Sequence, residues 1–177
     1  MKCFECNSEL EEQSKFCTNC GAKVQFQSIG GWLILVGISI ILSPFILVAQ
    51  LFPIYKDLLK PGVWELLTTS GTQYYIQYYS TFVFFEMLMN FLIFLTWGYL
   101  IYLFFEKKKI FRKLYLGILI FNPIFIVIDA LVAQQILGLD NLFEFNEIKE
   151  IFRSIVYLAI WGTYVSISER AKRTFVN

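Results

Sequence analysis

Four cysteines, the full cysteine content of this 177-residue chain, are grouped near its start as two CxxC pairs. Each CxxC turn can hold two thiolates on one side of a metal ion. Two such turns facing each other complete a tetrahedral sulfur site, which suits Zn²⁺. Asn7 and Gly21 follow the two pairs, and both residue types accept the positive φ that such a turn often requires. The predicted zinc ligands are Cys3, Cys6, Cys17 and Cys20.

Residues 1–24 are predicted to form a small zinc ribbon around these cysteines. The ten residues between the two pairs are enough for one β-hairpin. A unit below ~40 residues usually needs a metal or disulfides to fold, and structural zinc supplies roughly 10–16 kcal/mol in comparable peptides. Two disulfides or an iron site of rubredoxin type are the alternatives. The segment resembles the short zinc ribbons at the N-termini of many bacterial proteins.

The charge of the ribbon argues against nucleic-acid binding. Three lysines accompany four glutamates in residues 1–24, whereas recognition of phosphates needs a basic surface. We therefore expect no nucleic-acid partner. Contact with a partner protein is the predicted role of the ribbon.

The remainder of the chain is too apolar for an ordinary soluble domain, because the whole sequence is 57% hydrophobic and only 16% charged. Runs of about twenty apolar residues are needed to cross a bilayer as helix. We predict an all-α membrane protein in which a short linker, residues 25–31, leads into a four-helix transmembrane bundle, residues 32–177. The four predicted spans are residues 32–52, 81–105, 114–137 and, more weakly, 151–168.

The positions of lysine and arginine predict the orientation in the membrane. Eleven of the 15 lie in the N-terminal segment, the connection between spans two and three, and the C-terminal tail; four lie on the opposite side. By the positive-inside rule both termini are cytoplasmic. The thiols would then lie in a reducing compartment, which favours a metal over disulfides.

Four polar residues fall inside the predicted spans, where a charge costs at least ~2.5–3.5 kcal/mol to insert. They are Glu86, Asn90, Asp129 and Arg153. Helical rise places them all in the outer half of the bundle, where they can converge. We interpret them first as a network that fixes helix register. The alternative is a carboxylate pair that responds to protons or substrate, since two acids would share one base.

Small residues in the spans permit close approach between helices. The predicted positions are Gly98, Gly117, Ala159 and Gly162.

Five short motifs occur between the start of span one and the C-terminus. They are Gly30-Gly31-Trp32-Leu33, Leu42-Ser43-Pro44, Phe85-Glu86 with Asn90, Phe104-Phe105-x-Lys107-Lys108-Lys109, and Ser168-x-Arg170-x-Lys172-x-Thr174-Phe175. Together they resemble a bacterial inner-membrane family catalogued as domain of unknown function 2569. The resemblance covers about residue 30 to the C-terminus and implies a small multi-span inner-membrane protein, in some members with an N-terminal zinc ribbon. It implies no activity.

We expect a non-enzymatic integral membrane protein, a scaffold or regulator whose cytoplasmic ribbon contacts a partner. The chain contains no histidine, and every cysteine is assigned to metal. The sequence shows no recognisable pair of a nucleophile and a base. The alternative is a transport component for a small solute, lipid or proton that uses Glu86, Asp129 and Arg153. The sequence does not determine the substrate, the partner or the oligomeric state.

Overall fold

The computed structural model describes residues 3, 5–9, 16–22, 28–138 and 145–176, without the side chains of residues 145–147. These residues are largely helical and contain no strand. The helices, in chain order, are α1 (Trp32–Leu58), α2 (Val63–Thr68), α3 (Tyr79–Phe105), α4 (Ile110–Leu137), α5 (Phe145–Tyr157), a π-helical segment (Leu158–Gly162), α6 (Thr163–Ile167) and α7 (Glu169–Thr174).

Three of these helices, α1, α3 and α4, are long and apolar enough to cross a membrane, and no others in the described ranges are. They contain 27, 27 and 28 residues. At 1.5 Å per residue each is about 40 Å long, more than the ~30 Å hydrocarbon core of a bilayer. Most side chains in their apolar windows are not buried within the protein, as expected for helices surrounded by lipid. The first three predicted spans are confirmed as membrane-like helices.

The predicted fourth span does not form one long helix, so the predicted count of four is not supported. Residues 145–167 are divided into α5, the π-helical segment and α6, which follow one another directly. They nevertheless return the chain to the start of α4. There the guanidinium of Arg112 donates to the carbonyls of Val165 and Ser166, over 3.2 and 3.0 Å.

The helices pack in chain order. Helix α1 packs on α3, α3 on α4, and α4 on α5, the π-helical segment and α6. Helices α1 and α5 are not a closely packed pair in the described part of the chain. We call the end of the bundle with residues 30–33, residues 104–111 and α7 the terminal end, and the opposite end, with α2, the loop end.

Aromatic packing closes the terminal end. The rings of Phe104, Phe111 and Phe175 contact one another, with centroids 4.3 to 5.6 Å apart, and all three are buried. Tyr115 stacks on Phe111 at 5.4 Å. Because Phe175 follows α7, this cluster fixes the C-terminal helix against α3 and α4.

Glycine allows close approach at different positions from most of those predicted. A Cβ at Gly37 would lie 2.8 Å from the ring of Phe104, and one at Gly162 would lie 3.2 Å from a side-chain carbon of Leu116 on α4. At Gly98 and Gly117 no described atom comes within 4 Å of such a Cβ. The prediction was therefore right for Gly162 and wrong for Gly98 and Gly117.

Candidate metal centre and polar sites of the bundle

The two CxxC turns have the same backbone hydrogen bonds. The amide of Cys3 donates to the carbonyl of Ser8, and the amide of Cys17 donates to the carbonyl of Ala22, both over 2.8 Å. The carbonyls of Cys3 and Cys17 accept from the residues four positions later, over 3.0 and 2.9 Å. Those residues, Asn7 and Gly21, have φ of 60° and 69°. The positive φ expected from their types is present in both turns.

The structure brings the four cysteine sulfurs into one cluster. All four Sγ atoms lie within 4.8 Å of one another. Across the two turns, Cys6 and Cys17 are 3.5 Å apart and Cys3 and Cys20 are 3.6 Å apart. None of the four is in a disulfide. A Zn–S bond of about 2.3 Å places the sulfurs of a tetrahedral site about 3.8 Å apart, so this cluster has the dimensions of a four-thiolate metal site.

The hydroxyl of Ser8 lies between the two turns, 2.9 Å from Cys6 Sγ and 3.2 Å from Cys17 Sγ. Its hydrogen bond lowers the pKa of Cys17 to about 6 and is the main cause of a lowered pKa at Cys6. At Cys20 the backbone amide of Ala22 favours the thiolate, but the neighbouring thiols and desolvation raise the pKa to about 12. Because a hydroxyl has one proton, Ser8 can favour the thiolate form of one cysteine at a time, Cys6 in the first turn or Cys17 in the second.

The β-hairpin predicted between the two turns is not supported. Glu9 and Phe16 are isolated β-bridge positions, and no strand is present in the described residues of the module. Residues 10–15, which would form most of the hairpin, lie outside the described residues. The predicted boundary between ribbon and linker at residue 24 also lies outside them and stays a prediction.

A polar cluster links α1 to α3 near the loop end. The hydroxyl of Tyr55 donates to Oε1 of Glu86 over 3.5 Å and accepts from the amide of Asn90 over 3.4 Å. Asp129, half-buried on α4, is close enough for its carboxylate to interact electrostatically with that of Glu86. Two of the four predicted intramembrane residues, Glu86 and Asn90, are therefore joined by a tyrosine that the prediction did not include, and Asp129 is within electrostatic range of Glu86.

Arg153 belongs to a different group. Its Nη2 lies 3.3 Å from Oε2 of Glu150, one turn earlier on α5. In the described part of the chain, Arg153 forms an ion pair with Glu150 and lines a cavity together with residues of α1. The predicted convergence of all four residues is therefore not supported for Arg153.

Glu150 and Arg153 line a cavity of about 390 Å³, which we call the lateral groove. Its walls are α1 and α5, and its floor is formed by α3 and α4. The lining residues lie within 39–50 of α1, 93–97 of α3, 118–122 of α4 and 150–157 of α5.

Sequence reasoning missed three polar residues for identifiable reasons. Ser8 is adjacent to a CxxC turn, and that position is the only signal that could have marked it. Glu150 precedes Arg153 by three residues, a spacing that places the two on one helix face; the fourth predicted span began at residue 151 and so left Glu150 out. Tyr55 is on α1 and Glu86 is on α3, and no spacing in the sequence relates the two.

The comparisons with known proteins agree with the helical part of the chain. A family model described as "Protein of unknown function (DUF2569)" matches residues 26–176. The match begins after the cysteine module and includes every helix described above. No curated protein and no solved structure matches the chain. The chain belongs to the DUF2569 family, whose function is unknown.

Proposed function

We propose that this chain is a non-enzymatic integral membrane protein whose cysteine module holds one structural Zn²⁺ and contacts a partner protein, as a scaffold or regulator. The observation that carries the proposal is the clustering of all four sulfurs within 4.8 Å. Four thiolate ligands are typical of closed, structural zinc sites, whereas catalytic zinc keeps a position open. When bound, the zinc supplies folding free energy.

Two features of the module support binding to protein. The module has more acidic than basic residues, which disfavours nucleic acid. Of its described residues, Phe16 has a large apolar side chain that is 58% exposed. An aromatic side chain on a rigid, metal-held turn is a suitable anchor for a partner, because aromatic residues are enriched in the energetic centres of interfaces.

We also propose that residues 145–167 cross the bilayer as the fourth span, with both termini in the cytoplasm of a bacterial cell and the bundle in its inner membrane. Two observations support the fourth crossing. These 23 residues are helical throughout, and Phe175 beyond them packs at the terminal end with Phe104 and Phe111. An even number of crossings returns the chain to the side on which it entered.

Metal analysis tests the zinc proposal. The purified full-length chain should contain about one zinc per molecule, and Cys17→Ser combined with Cys20→Ser should contain almost none. Thr18→Ala combined with Asn19→Ala is the matched control, since both residues lie between these cysteines and are exposed. Near-zero metal in the wild-type chain, or iron in place of zinc, would contradict the proposal.

Cross-linking in intact cells tests the partner role. A photoreactive amino acid at Phe16 should give a cross-linked protein that disappears in the double cysteine variant. The same probe at Phe45, a 68% exposed residue of α1, is the control for contacts made by the bundle. An adduct at Phe16 that survives loss of the cysteines would show that the folded module does not make the contact.

A second candidate function is transport of a proton or small solute. It is favoured by the linked Tyr55, Glu86 and Asn90 with Asp129 nearby, because ionisable residues inside a membrane are costly and often mark ion pathways. Glu86→Gln combined with Asp129→Asn should abolish flux in proteoliposomes if this function is correct. Glu65→Gln, on the exposed surface of α2, is the control. Unchanged flux in the double variant would assign the cluster to helix register.

A further inference from the structure

The lateral groove presents one face of each of two helices. On α1 the lining positions begin at Ser39 and recur at helical spacing up to Gln50, and on α5 they recur from Glu150 to Tyr157. Although α1 and α5 both pack within the bundle, they are not closely packed on each other. The groove is therefore a gap in the ring of helices, between the first and the last of them.

The length of the groove matches one leaflet of a bilayer. Gln50 is eleven positions after Ser39 along α1, which corresponds to about 16 Å at helical rise. Half of the ~30 Å hydrocarbon core is about 15 Å. The volume of about 390 Å³ is at the lower end of the range for small-molecule sites.

Most of the surface that the groove would present to a ligand is apolar. Three serines line it, but the hydroxyls of Ser39, Ser43 and Ser154 all donate to carbonyls of their own helices, over 2.7 to 2.8 Å. The side chains around them are mainly leucine, isoleucine and tryptophan. Such a surface suits an alkyl chain better than a polar solute, because it offers few free hydrogen-bonding groups.

Charge is concentrated toward the loop end of the groove. Arg153 and Glu150 form an ion pair there, with side chains 57% and 38% exposed, and Gln50 lines the same end from α1. The two charges sum to zero. A headgroup with one phosphate and one ammonium can pair with both residues at once, and arginine recognises phosphate through two parallel hydrogen bonds.

We propose that the lateral groove binds one acyl chain of a phospholipid with an amine-bearing zwitterionic headgroup, its phosphate at Arg153 and its ammonium at Glu150. The apolar length holds the chain, and the ion pair selects the headgroup. This inference does not depend on the metal content of the cysteine module, so it can fail or succeed separately from the proposed function.

Native mass spectrometry of the full-length chain tests it. The protein is delipidated in detergent and offered equal amounts of phosphatidylethanolamine and phosphatidylglycerol with identical acyl chains. We expect one phosphatidylethanolamine per chain and less phosphatidylglycerol. Arg153→Gln should weaken retention about tenfold, since a hydrogen bond to a charged group is worth at least that factor. Lys60→Gln should have no effect; Lys60 forms the same type of ion pair, with Asp57 over 2.7 Å, outside the groove.

Further variants keep the test decisive if Arg153→Gln does not fold. Arg153→Lys should retain part of the binding, and Ser43→Phe should abolish it by filling the groove while leaving the ion pair intact. The proposal is overturned if the wild-type chain retains no lipid, if phosphatidylglycerol binds equally well, or if Lys60→Gln loses as much lipid as Arg153→Gln. It is also overturned if soluble glycerophosphoethanolamine binds as tightly as the lipid, or if the retained species is a second copy of the chain.

Discussion

The cysteine module and the helix bundle bury different kinds of side chain. Among the described residues of the module, Cys3 and Cys17 are buried, with Cys6 and Ala22 packed partly against them. In the bundle a continuous cluster of leucine, isoleucine, valine and aromatic side chains is buried, down to 0% exposure at several positions. A core of thiols and one methyl group gains little from burial. The module therefore needs its proposed metal, whereas the bundle is held by side-chain packing.

Loss of the metal should have the largest effect, and it should destabilise the cysteine module without destabilising the helix bundle. Cys17→Ser should unfold the module, because structural zinc supplies roughly 10–16 kcal/mol, and should leave thermal melting of the bundle in detergent unchanged. Hydrogen exchange measured peptide by peptide checks both parts: protection should vanish in residues 16–22 and persist in α3. Loss of protection in α3 as well would mean that the two regions are stabilised together.

Truncation of the aromatic cluster should destabilise the bundle and leave the cysteine module folded. Phe111→Ala should destabilise the bundle by about 3 kcal/mol, near the lower end for a buried phenylalanine, because lipid provides no hydrophobic driving force between helices and only packing is lost. The zinc content should not change. Phe45→Ala, at a 68% exposed position, should cost no more than about 0.5 kcal/mol. Equal effects of the two substitutions on the melting temperature would contradict the assigned core.

Two glycines sharpen the contrast within the bundle, because alanine should act with opposite sign at each. Gly37→Ala should cost about 1–3 kcal/mol, since the new Cβ would lie 2.8 Å from the ring of Phe104 and overpacking costs that much. Gly98→Ala should stabilise the helix by about 0.5–1 kcal/mol, because no described atom lies within 4 Å. Melting temperatures of both variants test this expectation. A change of the melting temperature in the same direction in both would be evidence against the packing at Gly37.

A further expected effect concerns the surroundings of the sulfurs. Ser8→Ala should lower zinc affinity about tenfold, because it removes a hydroxyl placed to donate to a thiolate of either turn, and partners outside the ligand set typically contribute 10–100-fold. Competition with a chelating dye measures the change. Thr18→Ala is the control, an exposed hydroxyl within the second turn. A tenfold loss there too would attribute the effect to the turns in general.

The sequence predicted best what depends on neighbouring residues. The turn geometry at Asn7 and Gly21 follows from residue type, since few residues accept positive φ. The first three membrane-like helices follow from runs of apolar residues. The family resemblance, drawn from short motifs in the same region, agrees with the family match.

Several of those motifs have a structural explanation that spacing did not reveal. A Cβ at Gly30 would lie 2.6 Å from Nη1 of Arg170. The glycine of the N-terminal motif therefore leaves space for the arginine side chain of the C-terminal motif. Ser168 caps α7 by accepting from the amide of Ala171. Phe104 and Phe175, from two further motifs, share the aromatic cluster. Residues far apart in the chain therefore meet at the terminal end.

Errors arose where contacts between helices decide the outcome. The interruption of the fourth predicted span includes Gly162, which is buried against side chains of Leu158 and Leu116. The direction of Arg153 depends on the rotation of α5. The hydrophobic pattern does not specify the first, because in a membrane the lipid-facing and buried sides of a helix are both apolar. The polar and apolar residues of α5 do lie on different faces, but that pattern does not say which neighbouring helix the polar face meets.

Taken by itself, the order of residues determined local geometry: two turns able to share a metal ion, and three helices that prefer lipid to water. These follow from backbone conformation and from the cost of exposing apolar groups. Tertiary structure alone decided which polar groups meet. Tyr55 lies beside Glu86, Arg153 lies across the lateral groove from α1, and Arg170 lies against Gly30, because helix rotation and packing bring distant positions within a few ångströms.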